Sequence, residues 1–344
     1  MTDEARADIP ASLRSARDAR GRFILPWPLE DDPARGFRDI IRWYGNRIRD
    51  GVAPTPAREA FATAEPDIAA PRNAADELRI TWIGQATFLI QIAGIAILTD
   101  PIWSGRASPI PWVGPKRLVA PGLGFNSLPP VDVIILSHDH YDHLDAATVR
   151  HLHARFGDAL TWVTPLGYAP WLRRIGITNV IELDWWDQTR VETPAGALAV
   201  QATPAQHWTK RSPFSERTRL WSGFVVTAAE RSRVYFCGDT GYFDGFRAIG
   251  ALGPFAASLM PIGAYEPRWF MKPAHMNPEE AVRAWTELGT DGLFVGMHWG
   301  TFRLTDEPPL EPPVRTAAAW RERGLPPEQL WVPRHGETRI IPLR

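Results

Sequence analysis

The chain has 344 residues, 44% hydrophobic and 22% charged, close to globular averages of about 45–50% and about 25%, which excludes a disordered or collagen-like chain. Its 38 basic and 39 acidic side chains leave a net charge of −1, so the positive surplus that nucleic acid selects is missing and no nucleic-acid partner is expected. A single cysteine, Cys237, excludes an intrachain disulfide framework and a cysteine-based metal site, and no apolar run approaches the ~20 residues of a transmembrane helix.

The opening segment, MTDEARADIPASLRSARDARGRF, mixes acids and bases around no apolar core; no signal peptide is expected, and a cytoplasmic location is. Residues 1–76 read as an N-terminal arm whose first ~20 residues are disordered. The rest of the arm is expected to pack on the main domain through Trp27-Pro28 and through Phe37, Ile40, Ile41, Tyr44 and Ile48, which recur at helical spacing. Residues 77–344 form the main domain. Its short β runs are Leu78–Ile83, Thr87–Ile92 and Ile95–Thr99, the last two joined by a tight Ala93-Gly94 turn. Further strands are expected at Val131–Leu136, Leu160–Val163, Val180–Leu183, Ala197–Ala202, Leu220–Thr227, Val234–Cys237, Ser258–Ile262 and Leu293–Met297. Helical patterns interleave at Asp145–Phe156, Tyr168–Ile175, Pro278–Leu288 and Val314–Arg323, so the chain is read as α/β, helices covering sheets. The 16 tryptophans are expected to fill the core ahead of lining a lipid groove.

The chemistry concentrates in Ser137-His138-Asp139-His140-Tyr141-Asp142-His143-Leu144-Asp145, directly after a buried-strand pattern. Imidazole and carboxylate are the donors a divalent transition ion takes when thiolates are absent. His138 and His140 face the same way on an extended segment, while Asp142 and His143 continue round a turn toward a second ion. His207, Asp239 and His298 each follow a strand, at the edge where α/β sheets place their sites. We therefore assign His138, His140 and His207 to one metal, Asp142, His143 and His298 to another, and Asp239 as a bridge, with room for a bridging hydroxide. Two zinc ions are expected; the same donors accept manganese or iron. Two divalent cations, two carboxylates and a hydroxide sum to about +1, a charge that suits an anionic phosphodiester and also polarises a neutral ester or lactone.

This His-x-His-x-Asp-His pattern, with a later His, a Gly-Asp and a final His, resembles the metallo-β-lactamase superfamily. More narrowly the chain resembles the N-acyl-phosphatidylethanolamine-hydrolysing phospholipase D family. The blocks that carry this likeness include Leu98-Thr99-Asp100-Pro101-Ile102, Gly114-Pro115-Lys116-Arg117, Ile181-Glu182-Leu183-Asp184-Trp185-Trp186, Cys237-Gly238-Asp239-Thr240-Gly241-Tyr242, Tyr265-Glu266-Pro267-Arg268-Trp269-Phe270-Met271-Lys272 and His298-Trp299-Gly300-Thr301-Phe302. The resemblance implies an αββα sandwich, a dinuclear zinc site that includes the catalytic carboxylates Asp142 and Asp239, release of phosphatidic acid and an N-acylethanolamine from a phospholipid-like substrate, and a homodimer. His275 matches the family's phosphate-proximal histidine and is expected to act in catalysis and substrate binding; the residue before it, glutamine in the animal enzymes, is Ala274 here.

Independently, Asn277-Pro278-Glu279-Glu280 after His275 reads as an N-cap, a first-turn proline and a capping-box glutamate. Tyr141 either faces the substrate or packs beneath the site. Lys210 and Arg211 read as a solvated basic pair, and His151 and His153 as helix-surface residues. His335 reads as structural, and Asp100 either orients a metal-bound histidine or caps the loop after it. At most peripheral membrane contact is expected, from the arm or from the loops around Trp103, Trp112 and Trp269. The competing functions are a lactonase or other ester hydrolase, a nuclease, and a metal-stabilised binding module.

Overall fold

In the computed structural model, residues 10–29, 32, 36–212, 214–228 and 232–343 are described. The arm opens with two short strands, β1 (Ala16–Arg17) and β2 (Phe23–Ile24), paired antiparallel. Of the stretch expected to be disordered, residues 1–9 lie outside the described residues; residues 10–20 have defined structure and lead to Phe23, which is buried in the core. Helix α1 (Phe37–Asp50) corrects the reading of the arm. Its regularly spaced Phe37, Ile41, Tyr44 and Ile48 are exposed, and Trp43, on another face, is the residue that is buried. Docking follows polar chemistry: the Trp43 indole donates to Asp306, Arg47 pairs with the same carboxylate at 3.1 Å, and the Trp43 ring rests on Phe270.

The main domain is a pair of seven-stranded sheets. The first contains β3 (Glu77–Gly84), β4 (Thr87–Ile92), β5 (Ile95–Thr99), β6 (Val133–Ile135), β7 (Thr161–Pro165) and β8 (Val180–Leu183) in spatial order. The second contains β9 (Gln188–Thr193), β10 (Gly196–Thr203), β11 (Gly223–Ala228), β12 (Ser232–Phe236), β13 (Ala257–Pro261), β14 (Leu293–Met297) and β15 (Leu330–Trp331). Strand β16 (Thr338–Pro342) returns to pair antiparallel with β3. In both sheets an antiparallel half continues into a parallel half, β5 to β8 and β12 to β15. The β4–β5 turn forms at Ala93-Gly94, both residues at positive φ (50° and 82°), the geometry whose twist matches a two-residue hairpin.

Strand alternation builds the layers. Leu78, Ile80 and Trp82, with Ile97, Val133 and Ile135, face the second sheet and meet Val200, Phe224 and Phe236 in the central core. Leu89, Leu98, Ile134 and Leu136 point the other way, into a separate core under helices α2 (Ala146–Phe156) and α3 (Ala169–Arg173). The inner strands are thus apolar on both faces, as a sheet covered on both sides requires. After α4 (Phe246–Gly250) and α5 (Arg268–Met271), helices α6 (Pro278–Leu288) and α7 (Glu311–Glu322) contribute Trp285 and Trp320 to the cover of the second sheet. Trp82, Trp162, Trp221, Trp285 and Trp320 are fully buried, whereas Trp112 is exposed. The N-terminus of α6 has the expected form: Asn277 Oδ1 accepts from the Glu280 amide (2.8 Å) and Glu280 Oε2 from the Asn277 amide (3.0 Å).

Candidate metal centre

Strand β6 ends at Ile135, and the chain leaves the sheet edge through Ser137 to His143. His138 Nε2 and His140 Nδ1 lie 2.9 Å apart, and His207, carried in beyond β10, brings its Nε2 to 3.1 Å from His140 Nδ1. A turn closed by the His143 amide on the His140 carbonyl (3.1 Å) then directs Asp142 and His143 to the other side. There His298, just past β14, meets them. His143 Nε2 is 3.1 Å from His298 Nε2 and 3.3 Å from Asp142 Oδ2, and His298 Nε2 is 3.2 Å from that oxygen. Asp239 enters between the groups: its Oδ2 is 3.1 Å from both His143 and His298, and 3.8 and 3.9 Å from His138 and His207. Gly238, at φ 64°, makes the turn that admits it; a Cβ there would stand 2.9 Å from that of Ser137.

These distances test whether the residues fit metal. Donors on one tetrahedral ion with bonds of about 2.0–2.1 Å stand about 3.3–3.4 Å apart. The 3.1–3.3 Å separations among Asp142, His143, Asp239 and His298 are close to those edges. His138, His140 and His207 form a second group of donor atoms with common reach. Two buried atoms without hydrogen-bond partners lie at the same place, Asp239 Oδ1 and His275 Nδ1. Electrostatics separates the two groups. Burial drives His140 down to about 4 and His207 to about 3, so both rings are neutral donors. At His143 burial works the same way, but Asp239, Asp142 and Asp100 outweigh it and raise the ring well above its ordinary value; His298 rises to about 9 against burial through Asp239 and Asp142. The carboxylates thus favour positive charge at these two rings, the charge a cation held between them would supply.

The residues behind the donors set their orientation. Asp100 Oδ2 accepts from His143 Nδ1 (2.6 Å) and from Ser137 Oγ (2.5 Å), and that hydroxyl contacts His138 Nδ1 at 2.9 Å. Of the two roles open to Asp100, the structure thus gives it the histidine. His207 Nδ1 is tied to the Ala274 carbonyl at 2.9 Å; a main-chain acceptor serves whichever side chain stands at 274. Gln85, in the β3–β4 turn, was not legible as a site residue. Its Nε2 donates to Asp142 Oδ2 (2.8 Å) and its carbonyl accepts from the His298 amide (3.0 Å), linking two donors of one group. Gly84-Gln85-Ala86 between two apolar runs reads only as a turn. Gln85, Asp100 and His298 all hold positive φ (56°, 33° and 64°), so backbone strain collects at this centre.

The structure does not bring every candidate in. His275 comes close: its Nδ1 is 3.9 Å from Asp239 Oδ2, and its ring centroid 5.1 Å from that of His207. Tyr141 turns away and donates its hydroxyl to the Arg211 carbonyl at 2.6 Å, with the Arg211 guanidinium 4.3 Å above its ring. Lys210 pairs with Glu216 at 2.9 Å. His151 lies edge-on to Phe125, His153 lies on the same helix, and His335 is buried against Trp82 with a 2.9 Å contact to Thr301.

An apolar cavity of about 580 Å³ lies beside the centre, walled by Leu13, Trp27 and Leu29 of the arm and by Tyr242, Phe243 and Lys272 of the domain. A neighbouring space of about 260 Å³ shares Trp27 and Leu29 and reaches His207 itself. Trp27 is stacked between Trp185 and Phe243 and donates to Gln206, the residue before His207, at 2.9 Å. Among the described residues no helix is long and apolar enough to cross a membrane.

Comparison with known proteins agrees with this geometry. A family model described as a β-lactamase superfamily domain matches residues 96–299. The chain is 42% identical over 67% of its length to the N-acyl-phosphatidylethanolamine-hydrolyzing phospholipase D 1 of Caenorhabditis elegans, and covers 67% of that protein. It is 43% identical over 72% of its length to an uncharacterized protein of Mycobacterium tuberculosis (65% covered) and 34% identical over 67% to a mitochondrial Saccharomyces cerevisiae protein that carries the phospholipase D name (49% covered). The fold is shared with a metallo hydrolase of Ignicoccus hospitalis (TM-score 0.59, 21% identity, 78% of this chain and all of that one). It is also shared with a possible metal-dependent hydrolase of Veillonella parvula (TM-score 0.61, 16% identity, 76% and 98%).

Proposed function

This chain belongs to the metallo-β-lactamase superfamily of metal-dependent hydrolases, and within it we propose that it is a dinuclear zinc phosphodiesterase of phospholipase D type acting on N-acyl-phosphatidylethanolamine-like lipids. The observation that carries the reading is the nearness of two environments, a seven-donor His/Asp centre and an apolar cavity joined to it through the shared Trp27 and Leu29 wall of a smaller space that reaches His207. A phospholipid has that same division, an anionic phosphodiester beside hydrocarbon. His138, His140 and His207 would hold one ion, Asp142, His143 and His298 the other, with Asp239 shared. When bound, such a pair supplies a nucleophile at neutral pH and neutralises charge on the phosphoryl oxygens.

The chain's own residues do the rest. Asp100 and Ser137 fix the rings of His143 and His138, so each presents its Nε2 toward the centre. Gln85 holds Asp142 by its Oδ2. His275, whose buried Nδ1 has no hydrogen-bond partner and lies 3.9 Å from Asp239 Oδ2, would donate to a phosphoryl oxygen. Trp27, Leu29 and Phe243 would take up acyl chain and exclude water from the path to His207.

Product analysis tests the assignment. Purified, metal-analysed protein incubated with N-acyl-phosphatidylethanolamine micelles is expected to yield phosphatidic acid and N-acylethanolamine, and Asp239→Asn to yield neither. Two bound zinc ions with intact lipid, alongside turnover of a lactone or ester panel, would replace the phosphodiester by a carboxylic ester.

A further inference from the structure

Helix α1 leaves a stripe that no other element covers among the described residues; Tyr44 alone in it touches neighbours, Trp43 and Arg47 of the same helix. Phe37, Ile41, Tyr44 and Ile48, spaced four, three and four apart, lie on one face and are 76%, 55%, 54% and 87% exposed. Large apolar side chains exposed in a continuous row are not ordinary surface. Arg38, Arg42 and Arg49 form a second exposed row along one flank of the first, while the acids of the helix, Asp39 and Asp50, lie toward the other side. Arg49 pairs with Asp50 at 2.7 Å, and Arg42 lies 4.3 Å above the Trp269 ring. The helix is held to the body through Trp43 and Arg47 on Asp306 and Phe270 and through Arg42 on Trp269, and the apolar row takes no part in these contacts.

We propose that this face of α1 is a membrane-docking surface that lies in the headgroup region of an anionic phospholipid bilayer, with the apolar row in the acyl boundary and the arginine row on lipid phosphates. An apolar stripe beside a basic one on a helix too short to span is the signature of an interfacial helix, and arginine stems reach headgroups from such a position. A second copy of the chain fits less well. One row on a 14-residue helix offers less than the roughly 800 Å² per partner of a stable dimer. An antiparallel two-fold pairing would also set each arginine row against its own copy. The helix rests on Trp269 and Phe270, and Lys272 and Pro273 just beyond them wall the apolar cavity. Docking here would hold the cavity close to the surface that supplies its lipid, a purpose that rests on the proposed phospholipid substrate.

The full chain is tested by co-sedimentation with vesicles of phosphatidylcholine alone and of phosphatidylcholine containing phosphatidylglycerol, neither of which is an N-acylated substrate. Wild-type protein is expected to bind the anionic vesicles, and less so as salt rises. The exposed double substitution Ile41→Asp with Ile48→Asp is expected to lower partitioning by about tenfold or more. Arg38→Gln with Arg42→Gln is expected to lower it about fivefold per charge on anionic vesicles alone. Both variants should keep wild-type helicity and their rate on soluble bis-p-nitrophenyl phosphate. Unchanged partitioning in the aspartate variant overturns the proposal, as does its conversion of a dimer to a monomer with vesicle binding intact, which would give the face to a second copy. Vesicle binding without hydrolysis of the N-acyl lipid would leave the docking surface standing and remove the substrate.

Discussion

Gln85 offers a sharp test because it touches one half of the centre and not the other. Gln85→Met keeps the length of the side chain and removes the amide that donates to Asp142 Oδ2 at 2.8 Å. A buried hydrogen bond to a charged acceptor contributes about 1.5–3 kcal/mol. If that energy orients Asp142, its loss lowers affinity at the Asp142/His143/His298 position by about 10- to 100-fold, the usual range for residues behind metal ligands. The His138/His140/His207 position makes no contact through the Gln85 side chain and should keep its affinity. Chelator competition followed by metal analysis separates the two: wild-type protein should release its ions in two steps, and Gln85→Met should move only one of them. The backbone strain at φ 56° is the same for methionine as for glutamine, so the variant isolates the amide. Unchanged affinity at both positions, or an equal loss at both, would refute the positioning role.

The remaining predictions address the shared carboxylate, the cavity wall and a buried histidine. Asp239→Asn should impair both metal positions together, because one oxygen faces His143, His298, His138 and His207; metal analysis showing one full-affinity ion would contradict this. Trp27→Ala should raise KM about tenfold for long-chain lipid, the scale of one buried aromatic contact, and leave the rate on bis-p-nitrophenyl phosphate alone; an equal effect on both would assign Trp27 to the fold instead. Burial lowers His335 from 6.5 to about 3, with Arg117 adding to the shift. The unfolded chain therefore takes the proton first: the neutral ring's contribution is complete above pH 6.5 and is lost as pH falls from there toward 3, with a slope of at most about 1.4 kcal/mol per pH unit. Urea unfolding across that window should show the slope in wild type and a shallower one in His335→Gln; equal slopes would contradict the assignment.

Much of this architecture is legible because both faces of the sheets are buried. Strands such as Thr87–Ile92 and Leu293–Met297 read as short apolar runs, and the Asn277 cap carries its own signature. Strand β9, Gln188–Thr193, escapes because it is a half-exposed edge with one buried valine, and β16 because its alternation is weak and its partner is distant in sequence. The donors are legible as residue types at strand ends. Their partners are not: Gln85 reaches Asp142 across 57 positions, and Tyr141, embedded in the motif, turns to Arg211. The arm shows the limit of periodicity, which identified α1 as a helix but placed its apolar row on the domain, where Trp43 and a salt bridge to Asp306 decide the contact instead.

The donors come from both sheets. Those from Ser137 to His143 leave β6 of the first, and His207, Asp239 and His298 leave β10, β12 and β14 of the second. An ion gripped by either group is therefore a cross-link between the halves of the sandwich. It closes loops from the β6 turn to positions 207, 239 and 298, spans over which a covalent bridge would constrain the unfolded chain strongly. In a protein whose single cysteine can form no such bridge, a metal held here would do the work of a staple as well as of the proposed catalyst. Its donors can assemble only once both sheets have docked, so metal uptake during refolding would mark the moment the sandwich closes.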